Sequence, residues 1–257
     1  MTGKPDWALV LGSSSGFGAA VSIELARNGM SIFGVHWDRR ETMPQVQNVM
    51  ERIRDAGGEA VFFNRNAGDA ACRAEVVAAI AERGARLRVL MHSLAFGSLK
   101  PLVGPDRLNQ RQVEMTSDLM GHSLVYWVQD LVAADLLGAG SRIYAMTSEG
   151  GGKAVPHYGA VSAAKAALEA HIRQLALELA PLGITANAIL AGVTDTPALR
   201  KIPGSGVLMA HAIARNPHKR LTTPEDVAKC VAVLCHENTY WMTGNTIHVD
   251  GGENSIG

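Results

Sequence analysis

Short runs of apolar, β-branched and aromatic residues alternate along the chain with longer stretches in which alanine and leucine recur at helical spacing. The short runs predict strands at Trp7–Leu11, Ser31–Val35, Glu59–Phe63, Leu87–Met91, Ser141–Met146, Ile184–Leu190 and Thr246–Val249. The periodic stretches predict helices at Phe17–Asn28, Thr42–Ala56, Ala71–Arg83, Asn109–Leu137, Tyr158–Leu179 and Pro224–Cys235. Strands joined through helices run parallel, because each helix carries the chain back to the same end of the sheet. The pattern therefore predicts an α/β fold, a doubly wound parallel seven-stranded sheet with helices on both faces. It reads as one domain over residues 1–257.

Two stretches break the rhythm. Residues 96–108 and 193–222 are long excursions that follow a strand, where open α/β sheets place ligand-binding elements. The second surrounds a short apolar helical pattern, Val207–Ala214, with Pro197, Pro203, Gly204, Gly206 and Pro217. It predicts a small substrate lid.

Composition narrows the partners. Apolar residues make up 47% of the chain and charged residues 19%, enough for a large core. With 24 basic and 24 acidic residues there is no electrostatic footprint for nucleic acid or an anionic membrane, so the expected partner is a small molecule. Cys72, Cys230 and Cys235 have neither disulfide-framework nor zinc-site spacing. His211, His218 and His236 share no ligand spacing, and no metal is assigned. No signal-peptide layout and no apolar run near the roughly 20 residues of a membrane span are present, which reads as a cytoplasmic protein.

The first predicted strand runs into Gly12-Ser-Ser14-Ser15-Gly16-Phe17-Gly18 and then into a helix. Backbone amides and the positive end of the helix dipole converge there on a place for a pyrophosphate, as in a Rossmann-type fold. At the end of the second strand, where the adenosine ribose would be read, stand His36-Trp37-Asp38-Arg39-Arg40. The arginines suit a 2′-phosphate, which favours NADPH with NADH possible, or else a solvated helix start. Asn66-Ala67, after the third strand, has the polar-then-small character that holds an adenine edge.

A glycine-rich loop from Thr147 to His157 leads into a helix carrying Tyr158 and Lys165. Together with the GxxxGxG turn, Asn187-Ala188 and Val249-Asp250-Gly251-Gly252, this segment resembles the short-chain dehydrogenase/reductase family over essentially the whole chain. Most members pair a tyrosine with a lysine four residues on, whereas here position 162 is serine and the lysine comes at seven. Seven residues return to nearly the same helix face two turns along. This YxxxxxxK spacing resembles the bacterial enoyl-acyl-carrier-protein reductases, a divergent branch. His92-Ser93-Leu94-Ala95-Phe96, Asp118-Leu119, Asp195-Thr196 and Asn216-Pro217 are similar to segments of the same branch.

The resemblance implies hydride transfer from the cofactor to the β-carbon of a 2-enoyl thioester, carried by acyl carrier protein or coenzyme A. Tyr158 would donate a hydrogen bond to the thioester oxygen, and Lys165 would hold the nicotinamide ribose and make the phenol more acidic. Cofactor contacts are expected from Ser93, Leu94, Gly192, Val193, Thr194 and Thr196 in addition to the residues above. Phe96, Leu208 and Tyr158 are expected against the substrate, with Leu99, Leu102, Ile202, Val207 and Met209 as further lipophilic candidates. A homo-oligomer, tetramer or dimer, is also implied. Where many of those reductases carry a second tyrosine, this chain has Ser148, and where a ketone reductase carries its polarising serine it has Ala145. Ser148 is therefore a third catalytic candidate, and a ketone or alcohol oxidoreductase is the alternative.

Overall fold

The computed structural model describes residues 6–256. Seven strands form one parallel sheet: β1 (Trp7–Leu11), β2 (Ser31–His36), β3 (Ala60–Asn64), β4 (Leu87–His92), β5 (Arg142–Thr147), β6 (Thr185–Ala191) and β7 (Thr246–Val249). Their order is β3-β2-β1-β4-β5-β6-β7, and all six pairings are parallel. The chain reverses direction across the sheet between β1 and β4, so a crevice opens at the carboxyl ends of those strands.

The helices are α1 (Gly16–Arg27), α2 (Met43–Asp55), α3 (Ala70–Glu82), α4 (Gln110–Ser117), α5 (Ser123–Ala133), α6 (Gly159–Leu179), α7 (Ser205–Arg215) and α8 (Pro224–Leu234). Alternate residues of a strand feed opposite cores. Leu9 and Leu11 pack with Val76, Ile80, Trp127, Leu168 and Ile172 under α3, α5 and α6. Ala8 and Val10 pack with Val21, Leu25, Val49, Ile53 and Val231 under α1, α2 and α8. Both faces of the sheet are thus dry, as an all-parallel sheet requires.

The predicted helix Asn109–Leu137 is not continuous. Asn109 and Gln112 close a capping box at the start of α4, but a π-helical turn, Asp118–His122, separates α4 from α5. Gly121 lies in that turn, where a β-carbon would come within 2.9 Å of the Ala164 carbonyl oxygen. The helix then stops at Ala133 instead of Leu137 because Asp135 adopts φ 53° and the Leu136 N–H returns to the Leu131 carbonyl, a Schellman closure. Leu136 and Leu137, which extended the apolar pattern, are buried beyond the helix end. The excursion 193–222 carries α7, whose start at Ser205 follows Gly204 at φ 78°.

Core packing reaches the crevice at Gly34. A β-carbon there would stand 2.6 Å from both the Phe62 ring and the Ser13 hydroxyl of the glycine-rich loop. Gly34→Ala is expected to destabilise the protein by about 1–3 kcal/mol, the usual cost of overpacking, measured as a lower urea midpoint with an unchanged slope.

Candidate active site

The glycine-rich loop is built by close backbone approach. A β-carbon on Gly18 would lie 2.0 Å from the Gly12 carbonyl oxygen, and one on Gly12, at φ 87°, would lie 2.4 Å from the Ser93 carbonyl oxygen. The Gly12 N–H donates to the Val35 carbonyl at 2.8 Å and the Ser93 N–H to that of Leu11 at 2.9 Å. Ser15 stands at the start of α1 and makes no side-chain cap hydrogen bond, so its hydroxyl does not occupy the first N–H groups of the helix. Thr196 completes the wall, its methyl carbon 3.5 Å from where a β-carbon on Gly16 would stand. Residues 12–18, Ser93 and Thr196 thus meet in one cradle at a helix N-terminus, the kind of place where a pyrophosphate could be held.

Beside the cradle, the buried His36 ring donates from Nδ1 to Asp38 at 3.0 Å. Burial raises the Asp38 carboxyl, but hydrogen bonds from the side chains of Ser14, Thr42 and His36 outweigh it and hold the group below its ordinary value. That carboxylate is already well supplied with donors and its side chain is only 17% exposed. Arg39 and Arg40 are exposed, and neither guanidinium has a partner among the described residues. Asn64 ends β3 and exchanges two 3.0 Å hydrogen bonds with the Asp38 backbone. Asn66, expected at an adenine edge, closes its own turn through Gly68 and Asp69, and the carbonyl of buried Ala67 accepts from the Trp127 indole at 2.9 Å.

Across the switch point, Tyr158 begins α6 with its hydroxyl 3.5 Å from the Ser148 hydroxyl, at the outer limit of a hydrogen bond. Its ring lies so close over Gly150 that a β-carbon there would be 2.7 Å from two ring carbons. Burial pushes the phenol above its ordinary value, only partly opposed by Ser148. The acidification expected from Lys165 is not what governs this group. Lys165, two turns on, is buried and donates to the Met146 carbonyl at 2.7 Å. Burial brings its ammonium down to about 8, against an opposing pull from Glu169. Glu169, a turn further along α6, takes a 2.5 Å hydrogen bond from Thr147. Its spacing of four from Lys165 was legible in the chain but not singled out.

Asp118 opens the π-helical turn and accepts from the Tyr126 hydroxyl at 3.0 Å. His92 is fully buried with Nε2 2.9 Å from the Ser123 hydroxyl, and burial, then Lys165, brings it down to about 3, so it is a neutral structural group. The ring of Phe96 packs on Trp37. Leu208 is half-buried on α7. In the segment after β6, Thr194 is buried and donates to the Gly192 carbonyl at 2.9 Å, while the Val193 N–H meets the buried Glu253 carboxylate at 3.3 and 3.4 Å. Arg215, at the end of α7, joins Glu253 to Glu149 of the loop before Tyr158, with contacts of 3.4 and 3.1 Å.

A parallel sheet with a glycine cradle at its switch point and a tyrosine and lysine on one helix defines a short-chain dehydrogenase/reductase. Residues 12–254 match the family described as Enoyl-(Acyl carrier protein) reductase, and the chain belongs to that family. It is 29% identical over 254 residues to 1-cyclohexenylcarbonyl-CoA reductase of Streptomyces collinus, covering 95% of this chain and 85% of the relative. It is 34% identical over 168 residues to the enoyl-acyl-carrier-protein reductase (NADPH) FabI of Staphylococcus aureus, covering 64% of each. The corresponding NADH protein of Aquifex aeolicus is 32% identical over 177 residues, 68% of this chain and 65% of the relative. The Aquifex aeolicus reductase structure superposes with a TM-score of 0.86 at 24% identity, covering 98% of this chain and 97% of that one. A dehydrogenase/reductase structure from Sinorhizobium meliloti superposes with a TM-score of 0.85 at 28% identity, covering 97% and 95%.

The buried Lys165 leaves a thermodynamic mark. Its folded-state pKa lies below the unfolded value, so the penalty on the charged form is fully present below pH 8 and fades as pH rises toward the unfolded value. Lys165→Met is expected to stabilise the fold by about 0.5–2 kcal/mol near pH 7, with the gain shrinking as pH rises above 8. Urea unfolding of both proteins between pH 6.5 and 9.5 would test it; a pH-independent difference would contradict the assignment.

Proposed function

We propose that the protein is an enoyl-thioester reductase that uses NADPH in preference to NADH. The observation that carries this reading is Tyr158 at the head of α6 with Lys165 buried two turns along it, in a parallel sheet whose β1–α1 turn is a glycine cradle. Membership of the enoyl reductase family supports the substrate class. A nicotinamide dinucleotide bound in that cradle would supply the hydride. Gly12–Gly18 and the start of α1 would take its pyrophosphate, Ser93, Leu94, Gly192, Val193, Thr194 and Thr196 its nicotinamide half, and Lys165 the ribose beside it.

Tyr158 acts on the substrate. As hydride reaches the β-carbon of a 2-enoyl thioester, charge moves onto the thioester oxygen, and the phenol donates a hydrogen bond to it. A phenol held above its ordinary value stays protonated through neutral pH and keeps that hydrogen to donate. The excursion 193–222, with Leu208, is assigned as the lid over the acyl chain. The acyl group travels on acyl carrier protein or coenzyme A, and the working unit is a homotetramer or dimer. The preference for NADPH rests on Arg39 and Arg40, whose guanidinium groups have no partner among the described residues and which follow a carboxylate already satisfied by the protein.

A second reading has its own support. The Ser148 hydroxyl lies 3.5 Å from that of Tyr158, and two such donors could polarise one ketone oxygen. NADPH oxidation with a crotonyl thioester but not an acetoacetyl thioester is expected; turnover of the ketone alone would reverse the choice. Tyr158→Phe is expected to lower kcat by about 10²- to 10³-fold, the usual effect of losing one oxyanion donor.

Lys165 must be protonated to carry its charge, so kcat/KM is expected to fall on the alkaline side with a limb near pH 8. Lys165→Arg should move that limb beyond the measurable range, since a guanidinium keeps its proton. Arg39→Ala and Arg40→Ala should each raise KM for NADPH by about tenfold, the worth of a charge-assisted hydrogen bond, and leave KM for NADH unchanged. Equal effects on both cofactors would remove the arginines from the 2′-phosphate.

A further inference from the structure

Three segments far apart in the chain meet at one guanidinium. Arg215 is the last residue of α7, and its Nη2 lies 3.1 and 3.3 Å from the two carboxylate oxygens of Glu149 and 3.4 Å from one oxygen of Glu253. Glu149 stands between Ser148, whose hydroxyl faces that of Tyr158, and Gly150, over which the Tyr158 ring lies. The Glu253 side chain is only 3% exposed and also meets the Val193 N–H, in the segment assigned to nicotinamide. A β-carbon on Gly192 would stand 2.9 Å from Oε2 of Glu253, so the carboxylate lies against bare backbone there.

Two carboxylates that converge on one nitrogen repel each other, and the guanidinium offsets both. Lys153 adds a second positive charge on the Glu149 side and reaches Asn254, next to Glu253, at 2.8 Å. Burial raises the Glu149 carboxyl, but Lys153 and Arg215 outweigh it and hold the group below its ordinary value. Stability alone does not call for charges here, because apolar side chains of similar volume hold buried segments together as well or better. What a guanidinium adds is direction, since its planar fork fixes where its partners lie. The buried Nε of Arg215 has no partner among the described residues, so the contacts to Glu149 and Glu253 are the hydrogen bonds that orient this side chain.

We infer that Arg215 is a positioning residue for turnover. Through Glu149 it holds the turn that seats Tyr158, and through Glu253 it holds the Val193 backbone, so the two halves of the site keep one relative geometry. This rests on the reading of Tyr158 and of the cofactor segment given above and adds to it the side chain that ties them together. Arg215 itself acts only through these two carboxylates. A misplacement on the order of 1 Å at a reacting group costs about a hundredfold in rate, so a loosened arm registers in the kinetics.

The test is steady-state kinetics of the full-length protein with NADPH and a crotonyl thioester, paired with NADPH binding by calorimetry and with urea unfolding. Arg215→Met is expected to lower kcat and to weaken NADPH binding by about tenfold each, and Arg215→Lys, which keeps the charge without the fork, should recover part of both losses. Glu149→Gln should act more on kcat and Glu253→Gln more on NADPH affinity, a split that a general loss of stability does not produce. Since both arms run through one guanidinium, adding Glu149→Gln to Arg215→Met should change kcat by no more than about twofold. Arg215→Met leaves Glu253 buried without its partner; the double variant Arg215→Met/Glu253→Gln removes both charges, is expected to show the same losses, and replaces the single variant if that one does not fold. Values of kcat and NADPH affinity within about twofold of wild type in the folded variant, whatever its urea midpoint, would reduce the cluster to a structural ion pair and overturn the inference. Effects of Arg215→Met and Glu149→Gln that multiply would overturn it as well. Wild-type protein that binds NADPH but leaves the crotonyl thioester unreduced would overturn the substrate reading alone, and unchanged NADPH affinity in Arg215→Met would then still overturn the positioning role.

Discussion

Between β1 and α1 the backbone folds back until Gly18 rests on the Gly12 carbonyl, and Gly12 in turn rests on the carbonyl of Ser93. No side chain fits at either contact. The ends of β1 and β4 and the start of α1 are thereby locked into one unit, which aims the helix amides into the crevice. Thr196 lies against Gly16 in the same unit, so the segment after β6 is positioned by the same loop. The glycine-rich half of the candidate site is thus a consequence of backbone packing more than of side-chain chemistry.

The half of the candidate site that holds Tyr158 and Lys165 follows a different logic. Gly150 is a bare platform beneath the Tyr158 ring, and Lys165 is buried where its charge is costly. Burial acts on both groups in the sense that disfavours charge, raising the phenol and lowering the ammonium. Glu169, tied to Thr147, is the nearby negative charge that keeps the lysine from falling further. Such a site is less stable than an apolar one would be, and that cost is typical of preorganised chemistry.

The excursion after β6 is held at its far end by ion pairs. Arg215 reaches Glu149 of the loop before Tyr158 and the buried Glu253 near the C-terminus, and Glu253 also meets the Val193 N–H. One guanidinium therefore connects the end of α7, the Tyr158 loop and the segment expected to contact nicotinamide. A shift of α7 must be felt at all three places.

Much of this was legible in the chain. The seven strands were placed within a residue at each end, because apolar runs bounded by turn residues are local signals. The GxxxGxG turn and the seven-residue separation of Tyr158 and Lys165 were equally local. The break at Asp118–His122 and the stop at Ala133 were hidden, since the apolar pattern runs through the first, and Asp135 closes the second without a glycine.

Pattern and spacing by themselves determined the seven strands, the fold class and the two-turn separation of Tyr158 and Lys165, since each depends on residues close together in the chain. The tertiary structure decided the rest. Asp38 meets Asn64, Arg215 meets Glu253 and Trp37 meets Phe96 only because the sheet order sets particular strand ends side by side. A buried parallel strand reads as apolar whichever neighbour it takes, so periodicity carries no record of that order.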